Sequence, residues 1–137
     1  MNASDQRRWF WAVLAVGVMY FAAGIVFAEL AKTAASNQVR VAWRLAAWGI
    51  SATAFATHIA YEHIRLRSSP VMTALHASFA VGLGAFGLAI SASIHAQTTH
   101  QRFPAFAIAV WPVMTALPAF VVALALAAVL ARTWARR

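Results

Sequence analysis

Three ionisable side chains, His58, Glu62 and His76, are the natural starting point for chemistry in this sequence. His58 and Glu62 are four residues apart, so a helix stacks them on one face. His76 follows Pro70 by six residues. Pro70 itself suits a helix start, where its missing N–H costs nothing. At 1.5 Å per residue from the Arg67–Pro70 connection, Glu62 lies about 8 Å, His76 about 9 Å and His58 roughly 14 Å along its helix. The three share one layer. Two imidazoles and a carboxylate at one depth suit ligation of heme b or a divalent metal, relay of a proton, or a buried ion pair. The spacing His-x-x-x-Glu matches no particular metal motif, so these uses stay open. His63 is turned about 100° from Glu62 and points elsewhere.

Glu29, Arg44 and His95 make a second polar layer toward the other end. Glu29 closes the first apolar segment and Arg44 opens the second, across a short loop, which predicts a salt bridge between them. His95 ends the third segment with no histidine at its depth. Within one chain this confines a porphyrin pocket to the first layer. No nucleophile stands with a base and an oxyanion site, which argues against hydrolase chemistry. The chain has no cysteine. Thiolate metal sites, iron–sulfur clusters and cysteine nucleophiles are thereby excluded.

The elements that position these groups follow from the apolar segments. The chain has 137 residues, 63% of them hydrophobic and 10% charged, against about 25% charged in a soluble domain. So short a chain cannot hide that much apolar surface from water. A helix crosses the hydrocarbon core with about 20 apolar residues, and four segments qualify. Helix 1 runs from about Trp9 to Ala31, helix 2 from about Val41 to Ile64, helix 3 from about Val71 to Ala96, and helix 4 from about Pro104 to Ala131. The short connections predict one all-α transmembrane domain over residues 1–137, a four-helix antiparallel bundle in up-down-up-down order.

Helix 2 carries Arg44, Ala47, Ser51, Ala54, His58, Glu62 and Arg65 within one narrow arc. Helix 3 carries His76, Ala80, Gly84, Gly87, Ser91 and His95 in the same way. Small residues let helix backbones approach closely, and the simplest packing turns the two stripes toward each other or a shared interior. Helix 4 carries Pro104, Pro112 and Pro118, which predict a bent helix.

The net charge of +8 is distributed at segment ends and not as a nucleic-acid patch. Arg7, Arg8, Arg65, Arg67, Arg132, Arg136 and Arg137 lie on the face with both termini; Lys32, Arg40, Arg44 and Arg102 lie on the other. Seven against four puts both termini in the cytoplasm of an inner-membrane protein. Trp9, Trp11, Tyr61 and Trp134 then fall at the cytoplasmic interface, and Trp43 and Trp48 near the opposite one. The reading that results is a binding or accessory subunit of a membrane complex with a His/Glu polar site. Its expected partners are the lipid bilayer and further membrane subunits or copies of itself. The alternative is a proton-coupled small-solute transporter or channel working as an oligomer.

Overall fold

The computed structural model describes residues 3–100 and 104–134. Arg102, Arg136 and Arg137 of the basic-residue count lie outside the described residues. The structure is all-helical, with α1 Ala3–Lys32, α2 Asn37–Ile64, α3 Pro70–Thr98 and α4 Ala107–Trp134. Apolarity begins at Trp9, but α1 begins at Ala3, because a helix needs backbone propensity and not apolarity to extend into the interface. Ser36 caps α2 by accepting from the Val39 N–H at 3.3 Å. Ser69 caps α3 by accepting from Met72 N–H at 3.4 Å, with Pro70 in the first turn. Both caps satisfy N–H groups that have no partner inside the helix. The fourth helix starts three residues later than the apolar run suggests. Pro104 opens a tight turn instead, its carbonyl accepting from Ala107 N–H at 2.9 Å and that of Ala105 from Ile108 N–H at 3.2 Å.

Three helical stretches are long and apolar enough to cross a membrane: Gln6–Lys32, Pro70–Thr98 and Ala107–Thr133. Such stretches make this a multi-pass membrane-type protein in contact with lipid. Its surface agrees, with Leu45, Phe79, Leu117 and Val121 all more than half exposed. The 28 residues of α2 are long enough but less clearly apolar. Arg40, Arg44, His58, Glu62 and His63 interrupt them.

α3 is the central element. It packs on α1 along one side and on α4 along the other, while α1 and α4 do not meet among the described residues. The α3–α4 contact is built on alanine: Ala74, Ala77, Ala123 and Ala127 are all buried, with Ile59 of α2 and partly buried Phe55, Phe120 and Leu130 around them. The α1–α3 contact is built on glycine. Gly84 packs so closely that an added Cβ would stand 2.6 Å from Tyr20 Cβ and 3.0 Å from the Gly17 carbonyl oxygen.

The two stripes do not face each other as expected. The α3 stripe turns to α1, with Ala80 and Gly84 on Gly17 and Gly87 on Phe21. The α2 stripe also turns toward α1, across two recesses that Ala47, Ala54 and His58 help to line. Glycine on α3 fits the backbone of α1, whereas α2 meets α3 and α4 mainly near its C-terminal end, where its buried residues His58, Ile59 and Glu62 lie.

Candidate functional site

Glu62 is the centre of the candidate site. It is 0% exposed, on the last turn of α2. Its Oε2 lies 3.0 Å from His76 Nδ1 of α3, and it accepts from Ser68 Oγ at 2.8 Å in the connection. The connection is shaped for this: the Ser68 N–H donates to the Glu62 carbonyl at 3.2 Å, and Arg67 takes a positive φ of 49° that turns the chain back. His76 is 4% exposed, and its ring lies flat on Trp9 of α1, centroids 4.6 Å apart at 1°. One carboxylate thus links α2, α3 and the connection between them, and the imidazole extends the link to α1.

Polar atoms without a protein partner gather around this contact. They include Glu62 Oε1, His58 Nε2, Thr73 Oγ1 and Trp9 Nε1. Buried polar atoms are normally paired, and each exception costs about 1–3 kcal/mol. The four lie on α1, α2 and α3, in otherwise apolar surroundings.

The chemistry of the Glu62–His76 contact is that of a shared proton. At 3.0 Å between a carboxylate oxygen and a ring nitrogen, one proton lies between them, whichever atom carries it. Among the described residues, no group of three or more His, Cys, Asp or Glu is arranged to hold a metal ion. Comparison with protein-family models, with curated proteins and with solved structures gives no match. The site therefore has to be read from its own geometry.

That geometry brings Glu62 and His76 together as their equal depth requires. His58 is buried too, at 3% exposure, but it makes a wall of the groove between α1 and α2. The second layer is not assembled. Glu29 pairs with Lys32 at 2.6 Å, three residues along the same helix, and not with Arg44. A neighbour one turn away reaches a glutamate more readily than one across a loop. Arg44 instead lines a recess with Lys32, Arg40 and Trp48. His95 is exposed and lines a separate recess with Phe21 and Ser91.

Two members of the site carried no chemical signal in the sequence. Ser68 belongs to a polar connection, and Trp9 has the type and place of an interfacial aromatic. The i to i+6 step from Glu62 to Ser68 is visible once the chain is known to reverse at Arg67. Nothing in the sequence sets the inward turn of Trp9.

Proposed function

We propose that this protein is a binding or accessory subunit of an inner-membrane complex, and that Glu62 and His76, with His58 beside them, form its polar site for one exchangeable proton. All four helices cross in up-down-up-down order in this reading, with both termini cytoplasmic as the arginine distribution favours. Contact registers support that order: Gly17 and Gly24 of α1 meet Leu83 and Leu88 of α3 in rising sequence, whereas Gly82 of α3 meets Ala116 of α4 while the earlier Ala74 and Ala77 cluster with the later Ala123 and Ala127. α2 crosses as the least apolar of the four.

The observation that carries the proposal is the wholly buried Glu62 carboxylate held by His76 and Ser68. An ionisable pair within a bilayer span is expensive and marks function by default. A second reading draws on the same contact. Carboxylates commonly hold one ring nitrogen of a histidine so that the other can ligate, and this favours heme bound through His76.

Infrared difference spectroscopy of the detergent-purified protein on a pH step separates the readings. The proton site predicts a carboxyl band that moves with pH and is absent in Glu62→Gln and shifted in His76→Gln. A Soret band that moves on reduction and disappears in His76→Ala would assign heme instead. A colourless protein whose carboxyl bands are identical in parent and Glu62→Gln would leave the contact as packing and refute the proposal.

A further inference from the structure

The groove between α1 and α2 meets the site described above only at His58, and it has two chemically distinct levels on either side of that residue. Arg7 and Arg8 stand exposed at one end, beside Trp11 and Tyr61. Aromatic side chains of this kind sit at headgroup level. His58 lies one turn further in than Glu62, with its Nε2 unpartnered and the residue 3% exposed. Beyond it the walls are mostly small and apolar, with Ala12, Ala15, Gly49 and Ala54 leading to Met19 and Ile50, and the Thr53 hydroxyl is engaged by the Gly49 carbonyl of its own helix. The groove encloses about 1100 Å³. From Arg8 to Met19 is about 16 Å of helix, one leaflet's share of a hydrocarbon core about 30 Å thick.

Each level calls for a different part of one ligand. Guanidinium groups offer forked donors that match a phosphate. His58 between these levels is a buried part of the groove wall, and its Nε2 offers a ligand no contact. The small-residue trough leaves room for an acyl chain. We propose that this groove binds one anionic phospholipid from the leaflet that holds Arg7 and Arg8. Its phosphate sits on the two arginines and a chain lies along the trough.

Charge favours lipid over a second copy of this chain as the occupant. The sequence has three acidic residues. Glu62 is buried and Glu29 is engaged by Lys32. A second copy has only Asp5 to offer two arginines.

Trp11 in the groove wall makes the proposal measurable. The full chain in neutral detergent is titrated with phosphatidylglycerol or phosphatidylcholine brominated on the acyl chains, which quench indole at short range. The Trp11 contribution is the difference between the parent and Trp11→Phe. Quenching should saturate, with half-saturation at an about tenfold lower fraction of the anionic lipid, equivalent to about 1.4 kcal/mol. Arg7→Gln with Arg8→Gln should abolish this preference. Arg40→Gln with Arg44→Gln removes the same charge from the far end of the α1–α2 face and should leave it intact. Equal loss of preference in both double variants, or no preference in the parent, would reduce the effect to general electrostatics and overturn the anion site. Quenching that never saturates, as when a second copy covers the groove, would overturn the proposal whole, while the infrared test of the Glu62–His76 pair stands or falls separately.

Discussion

Gly84→Ala tests the close crossing of α1 and α3 most directly. The added methyl would stand 2.6 Å from Tyr20 Cβ and 3.0 Å from the Gly17 carbonyl oxygen. Neither atom is the far end of a flexible side chain. One is the root of a side chain and the other is backbone, so relief requires the helices to separate. Overpacking of this kind costs about 1–3 kcal/mol. Against it stands the helix propensity gained on replacing glycine by alanine, up to about 1 kcal/mol. Gly49 supplies the control, because a Cβ there meets nothing within 4 Å. Both substitutions gain the propensity term, so their difference isolates packing. Gly84→Ala should therefore unfold about 1–3 kcal/mol more easily than Gly49→Ala. The assay is unfolding by SDS in mixed micelles, followed by helical circular dichroism and by tryptophan fluorescence. Coincident curves from the two probes justify a two-state reading. Equal stability of the two variants would mean that α1 and α3 do not cross at Gly17 and Gly84.

Removing either partner of the Glu62–His76 contact strands the other in an apolar setting. Glu62→Ala and His76→Ala should each cost about 3–5 kcal/mol, and the double variant should cost less than their sum by about 0.5–3 kcal/mol in the same assay; strict additivity would separate the two side chains. Glu29→Gln should change stability by less than about 1 kcal/mol, since its Lys32 partner is 58% exposed and the carboxylate 60%. A loss of several kcal/mol would indicate a buried partner such as Arg44. For orientation, cysteine introduced at Ser36 should be labelled from outside the cell by an impermeant reagent and cysteine at Ser69 should not; the opposite pattern would invert the topology.

Three of the helices were legible because lipid imposes a simple rule on sequence, long apolar runs separated by polar connections, and α2 was legible as the helical segment between two such connections although it is less clearly apolar. The Glu62–His76 contact was legible for a related reason. Depth along a helix is arithmetic, and a short connection keeps equal depths side by side. What depth cannot supply is rotation. The α3 stripe was visible at Ala80, Gly84 and Gly87, but its partner was not, since small residues fit any close backbone. It met Gly17 of α1 instead of the small residues of α2. Glu29 shows the same limit in another form. Arg44 matched it in charge and depth, yet Lys32 on the same helix was nearer. Trp9 has the composition of an interfacial anchor, and only tertiary packing turns its ring onto His76.

The linkage of Glu62 to groups that follow it in the chain bears on how the protein is made. A ribosome delivers α1 and α2 before Ser68 and His76 exist. During that interval the most buried carboxylate of the finished protein has neither of its donors, and α1 alone offers α2 a neighbour. The first helical hairpin is thus made with that carboxyl group lacking both of its partners. Synthesis of α3 then does two things at once: it supplies the alanine and glycine surfaces on which the bundle closes, and it brings the side chain that pairs with the helix before it. The second helix of this chain is completed only by the third.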